Sequence, residues 1–268
     1  MHLHDRGLGF DLATLQNRRR ALALFGGAGL AVLAGCATSN SPTAAPPPAG
    51  SSTTTTGATA TNVDTIPQET AGPFPGDGSN GPNVLTESGI VRSDIRSSFG
   101  TGSALAAGIP LTIKLNILDA AKDTALSGAA IYLWHCDQQG RYSLYSQGVT
   151  SENYLRGVQA ADGSGALTFT SVFPAAYQGR WPHIHFEIYP TLADATKGGN
   201  RLTTSQLALP EEVCRTVYGT DGYDSSVRNL AQTSLSSDMV FRDGYDHQLA
   251  TVTGDIKSGL TAALTIGV

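Results

Sequence analysis

The sequence predicts an all-β fold, a β-sandwich with long loops and little helix. Three observations carry this. Several short segments alternate apolar and polar residues, the period of a half-buried strand. Glycine is abundant, 31 of 268 residues, and with 13 prolines it punctuates the chain into turns. Long runs at the 3.6-residue period of an amphipathic helix are rare.

The elements follow in order. Residues 68–85, QETAGPFPGDGSNGPNVL, are turn-rich and read as an extended lead-in. LTIKLNILDA (111–120) alternates and reads as a strand, 121–127 as a loop, and GAAIYLWHCD (128–137) as a second strand. QQGRY then turns the chain. GALTFTSVF (165–173) and HIHFEIYP (183–190) are further strands. The C-terminal stretch 246–268 is strand-like, broken by Gly254 and Gly259. Helix is expected only around 210–217. No internal repeat is evident.

The first 36 residues do not belong to that fold. Arg18, Arg19 and Arg20 precede an apolar run from Ala21 to Ala34 that ends in LAGC at Cys36. A charged start, a short apolar core and small residues before a cut form an export signal, and adjacent arginines suggest the twin-arginine route. The run is short for a membrane span. LAGC resembles a lipobox, so Cys36 is the expected lipid-bearing N-terminus, with an ordinary signal peptide as the alternative. The Ser/Thr/Ala/Pro-rich segment 37–65 has too little apolar surface to fold and reads as a tether. The domain is then 66–268, exported and held at the cell envelope. A formal charge of −5, a pI near 5.6 and no basic stripe argue against a nucleic-acid partner. Cys136 and Cys214 remain: a disulfide is the first reading, free buried thiols the second and metal ligation the last.

Only four histidines follow the signal, and two of them, His183 and His185, flank one isoleucine. On a strand, residues i and i+2 leave the same face. Both imidazoles could share one metal ion, or simply be hydrogen-bonded on a polar face. Upstream lie Tyr142 in QQGRY, Tyr177 in VFPAAYQGRWP, and Arg180 three residues before His183; Gln206 lies downstream. Each has a plain alternative. Tyr142 could be a turn residue, Tyr177 could pack on Pro174, Arg180 could pair with Glu187 or Asp137 at the surface, and Gln206 could be a loop residue.

Taken in order, these fragments resemble the intradiol ring-cleavage dioxygenases, the catechol and protocatechuate dioxygenase family. The resemblance covers 68–209. It rests on the GPF lead-in (72–74), a strand with Trp134 and His135, the Gly140-Arg141-Tyr142 turn, Pro174 to Tyr177, and RWPHIH. It implies a non-haem Fe(III) held by Tyr142, Tyr177, His183 and His185, with Tyr142 and His183 equatorial and Tyr177 and His185 axial. The ligand types suit the ion. Ferric iron is hard and favours anionic oxygen, and a metal charge holds deprotonated a phenol whose free pKa is near 10. The resemblance further implies cleavage of a catechol by O2 to a cis,cis-muconate-type diacid. Tyr177 would help remove substrate protons, Arg180 would stabilise anionic charge, and Gln206 would line the site. His135 is expected to be structural or to support the ligands.

Two departures stand out. Ala175 replaces the glycine usual after the proline of the second tyrosine turn, and the segment from Tyr177 to His183 is short. They leave a second reading open: a tethered module that binds iron or catechols without turnover. A copper or zinc site on the histidine pair is a third, but it gives the tyrosines no role. The lead-in lacks the helical region through which some cytoplasmic relatives dimerise, which fits a monomer.

Overall fold

The computed structural model describes residues 63–268. The expected export signal, Cys36 and nearly all of the expected tether lie outside the described residues. The two sheets expected of a sandwich are present. In the first, β1 (Pro110–Asp119) is central. One of its edges carries β5 (Ala166–Val172) and, end to end with it, the two-residue β2 (Thr124–Ala125), both antiparallel. The other edge carries β9 (Gly259–Gly267) in parallel, and β8 (Thr251–Asp255) closes the sheet on β9. The second sheet runs β4 (Arg156–Ala160), β3 (Ala130–Trp134), β6 (His183–Tyr189), β7 (Thr203–Ala208), antiparallel throughout.

The alternation in β1 works as the sequence suggests. Leu111, Ile113, Leu115 and Ile117 are buried, whereas Thr112, Lys114 and Asn116 are more exposed. They join Phe169 of β5 and Ile184, Phe186 and Ile188 of β6 in one core. Each such side chain contributes roughly 1.5–3 kcal/mol by leaving water. A polar tie also joins the sheets: the His135 ring nitrogen Nε2 lies 2.7 Å from Ser171 Oγ on β5. His135 therefore serves the interior between the sheets.

Strands β3 and β6 are buried along their whole length, on both faces. Polar groups on the face turned away from the sandwich core need cover, and the lead-in supplies it. Glu69 N–H donates to the Thr204 carbonyl (2.7 Å), and Ser205 Oγ donates to the Pro67 carbonyl (2.7 Å). Arg156 of β4 donates to the carbonyls of Phe74 (3.0 Å) and Pro75 (2.9 Å). The chain tightens here through Gly76, at φ +69°, where a Cβ would sit 2.8 Å from Arg156 Nη1.

Several expectations need correction. The 121–127 loop contains β2, because the chain folds straight back on Leu118 and Asp119. Gly254 is no break: it sits inside β8 opposite Leu260, and the turn is at 256–258. Strands β4 and β7 were not expected. Helix is not confined to 210–217. Besides α2 (Glu211–Tyr218), α1 (Leu192–Ala195) and α3 (Asp224–Leu230) form. Cys136 and Cys214 are both free and buried, not disulfide-linked. Cys136 Sγ points instead at the Ala175 carbonyl (3.6 Å), and burial pushes both thiols far above their ordinary range. Among the described residues no helix is long and apolar enough to cross a membrane.

Candidate active site

Strand register places a row of functional groups across the second sheet. His185 lies opposite Trp134 on one side and Gln206 on the other, and Trp134 lies opposite Arg156. Gln206, His185, Trp134 and Arg156 thus span all four strands on one face. Trp134 stacks on the His185 ring, centroids 4.9 Å apart and planes 6° from parallel, which fixes the imidazole. His183, two residues earlier, leaves the same face.

Two loops bring the tyrosines to this face. The turn after β3 is organised by Asp137. Its Oδ1 accepts from the amides of Gln139 and Arg141, and its Oδ2 accepts from Arg141 Nε and the Tyr154 hydroxyl. Gly140 takes φ +81°, and a Cβ there would lie 3.3 Å from the Tyr177 Cβ. Both the backbone angle and the close approach call for glycine. The Phe74 ring lies against Tyr142, centroids 4.9 Å apart. The Tyr177 loop hangs on three fixed points: Ala175 N–H to the Asp137 carbonyl, Ala176 N–H to Ser226 Oγ, and Asn229 Nδ2 to the Ala176 carbonyl. Among the described residues, Ala175 is not one with a positive φ, so replacing the usual glycine there brings no backbone strain.

The four side chains meet at their polar ends. Tyr142 Oη is 3.4 Å from Tyr177 Oη, which is 3.1 Å from His183 Nε2, which is 3.0 Å from His185 Nε2. The His183 tautomer can be deduced. Its Nδ1 contacts the Trp181 carbonyl, which only accepts, so Nδ1 carries the hydrogen and Nε2 keeps its lone pair. Burial and the nearby Arg180 charge push His183 below its ordinary pKa; burial and His183 itself do the same to His185. Both rings are therefore neutral, the form that ligates metals. Burial and the Tyr177 neighbour push the Tyr142 phenol well above its usual value. A phenolate there needs a cation.

These donors fit a small metal ion. Bonds of about 2.1 Å to a first-row metal set adjacent ligands about 3.0–3.4 Å apart. Among the described residues no group of three or more His, Cys, Asp and Glu could hold a metal, so a metal held here by three or more side chains would use tyrosine oxygen. Two phenols beside two neutral imidazoles favour a hard, highly charged cation.

Arg180 is not a surface cation. It is 3% exposed and pairs with Asp238, Nε to Oδ2 at 3.0 Å. The anticipated acids take other partners: Asp137 pairs with Arg141, and Glu187 with Arg201. Arg180 Nη2 donates to Gln206 Oε1 (2.7 Å), and Gln206 Nε2 donates to the Thr70 carbonyl (2.9 Å). Gln206 is fully buried on β7. Two acids near the site carry no sequence signal. One is Asp238. The other is Glu69, whose carboxyl is pushed up to about 7, mainly by burial and then by Asp243.

Residues 80–191 match the family model Dioxygenase_C, described as dioxygenase. That span contains Tyr142, Tyr177, Arg180, His183 and His185, and excludes Gln206 and Asp238. In fold the chain is similar to an intradiol ring-cleavage dioxygenase from Tetranychus urticae, with 24% identity, 68% of this chain and 87% of that one covered, and a TM-score of 0.55. Weaker matches include the dioxygenase domain of a dioxygenase carbohydrate-binding protein fusion from Streptomyces sp. SirexAA-E (19% identity, 76% and 98% covered, TM-score 0.49). Another is hydroxyquinol 1,2-dioxygenase from Pseudomonas putida DLL-E4 (16% identity, 76% and 66% covered, TM-score 0.48). No curated protein matches the sequence. The matched segment carries both tyrosines, Arg180 and both histidines of the candidate site, within a dioxygenase-like fold. The similarity is thus to the dioxygenase family over 80–191, and to the fold of an intradiol ring-cleavage dioxygenase over about two thirds of the chain.

Proposed function

We propose that this protein cleaves a catecholic ring between its two hydroxyl-bearing carbons, using O2, and releases a cis,cis-muconate-type diacid. Tyr142, Tyr177, His183 and His185 would hold one Fe(III). The observation that carries the reading is the meeting of two phenol oxygens and two imidazole nitrogens within 3.0–3.4 Å of one another. When bound, ferric iron would supply the electronic coupling that lets a catecholate react with O2.

The chain's own groups do the rest. Tyr177 is the less buried of the two tyrosines, so its Oη is the one suited to accept a substrate hydroxyl proton. Tyr142, His183 and His185 stay fixed by Phe74, the Trp181 carbonyl and Trp134. Arg180, held by Asp238 and Gln206, places a permanent positive charge beside developing anionic charge. Deep burial of the site excludes water and strengthens that interaction. The proposal extends to export and to a lipid on Cys36, which mass analysis of the mature N-terminus would test. A monomer that meets small catechols outside the cytoplasm completes the reading.

The test is a visible spectrum of the purified ferric-loaded domain, before and after catechol under air, with product analysis. A tyrosinate-to-iron band that shifts with catechol, followed by a muconate-type product, is expected. A shift without product would turn the reading to a binding module. A protein colourless after ferric loading would overturn the four-ligand site.

A further inference from the structure

Arg180 would be of little use to a substrate if its guanidinium could rotate away, and one residue far along the chain prevents this. Asp238 lies in a run of turns between α3 and β8, 58 residues from Arg180. Its carboxylate is fully buried. Five donors converge on it. Oδ2 accepts from Arg180 Nε (3.0 Å) and the Trp181 amide (2.7 Å). Oδ1 accepts from Arg180 Nη2 (3.4 Å) and the amides of Val240 (2.8 Å) and Phe241 (3.3 Å). The two amides of its own turn orient the carboxylate before it meets Arg180. Held at Nε and Nη2, the planar guanidinium has one orientation left, and in it Nη2 also reaches Gln206 Oε1. The Trp181 peptide is fixed too: its N–H donates to Asp238 while its carbonyl accepts from His183 Nδ1.

We propose that Asp238 is the positioning residue of this site, a carboxylate supplied from outside the matched dioxygenase segment that locks the Arg180 guanidinium beside Gln206. The consequence for turnover rests on the role assigned to Arg180 above; the locking itself does not. The chemistry of the nest explains why only a carboxylate serves. Every hydrogen-bond partner of the Asp238 carboxylate is a donor, so an asparagine would turn its own N–H groups toward N–H groups.

The experiment has two independent readouts. In metal-free protein labelled with 15N-arginine, the Arg180 Nε–H signal is assigned by its loss in Arg180→Lys. Its exchange with water should be slow in the wild type and at least about tenfold faster in Asp238→Asn. Exchange as fast as a surface arginine in the wild type, or unchanged in the variant, would overturn the proposal. The wild-type measurement decides even if the variant fails to fold. In ferric-loaded protein, Asp238→Asn should keep the charge-transfer band while kcat for catechol falls about tenfold or more and KM changes far less. The double variant Arg180→Ala/Asp238→Asn should be no slower than Arg180→Ala alone. Losses that multiply in the double variant would mean that Asp238 acts independently of Arg180, and would overturn the proposal. A wild type that makes no product yet has the protected Nε–H would sink the proposed function and leave the positioning role standing.

Discussion

His183 and His185 point their Nε2 atoms at each other across 3.0 Å, in a buried setting that keeps both rings neutral. A shared cation turns that crowding into coordination. Removing either ring should therefore cost iron before it costs fold. His185→Ala is expected to purify with little bound iron and no visible band, while its far-ultraviolet circular dichroism stays that of the wild type. Metal analysis beside the spectrum checks this. Glu69 gives a different test. Its folded pKa is raised from 4.5 to about 7, so the folded state holds this proton more tightly than the unfolded chain does. That contribution is complete below about pH 4.5 and is lost as pH rises through about 7, an effect of up to about 3 kcal/mol. Urea midpoints at pH 5 and pH 8 should differ less in Glu69→Gln than in the wild type. The tyrosines, histidines and Arg180 were legible because they sit in short motifs whose order and spacing carry information. Asp238 and Glu69 were not, because a lone acid acquires meaning only from what tertiary structure places beside it.

Strands β1, β3, β5 and β6 were legible from alternation or apolar runs. The residues of β4, RGVQA, and of β7, TTSQLA, gave no such signal. Both belong to the sheet whose far face carries the site, so polar residues are buried there and the period-two contrast is lost. The plain alternative for Gln206, a loop residue, stayed open for the same reason. At this scale the turn and the lead-in are the parts to perturb. Gly140→Ala would force a Cβ into a left-handed backbone and against Tyr177. It should lower stability by about 1–2 kcal/mol and weaken iron retention, since the same turn delivers Tyr142. Arg156 is 1% exposed and donates only to neutral oxygens: Phe74, Pro75, Ser143 and the Tyr132 hydroxyl. Arg156→Met removes the donor from the Phe74 and Ser143 carbonyls, leaves Pro75 only the Tyr132 hydroxyl, and frees the lead-in that carries Phe74 over Tyr142. A loss of about 3 kcal/mol is expected by denaturant unfolding, with faster proteolysis of the lead-in.

For the whole molecule, the sandwich was legible from strand spacing, and the lack of a bridge between Cys136 and Cys214 was not. A sequence that reads as exported and keeps two cysteines in its domain invites a bridge, yet both thiols are spent on packing, Cys214 on the buried face of α2 and Cys136 beneath the Tyr177 loop. Reducing agent should leave the melting temperature unchanged, and a thiol reagent should react only at the rate of unfolding. Pairing with the C-terminal strand reaches into the expected tether: Thr65 bridges Gly267 in parallel, and Ile66 N–H donates to the Gly267 carbonyl. Residues separated by the whole length of the domain are thus neighbours, and a short peptide could splice Val268 to the residues before Thr65. Such a ring would have no loose end at this seam, and it could be reopened at an exposed bend such as 162–164 without disturbing the ligand-bearing loops. The domain is, in topological terms, already almost a circle, and its first and last residues are a matter of where that circle happens to be cut.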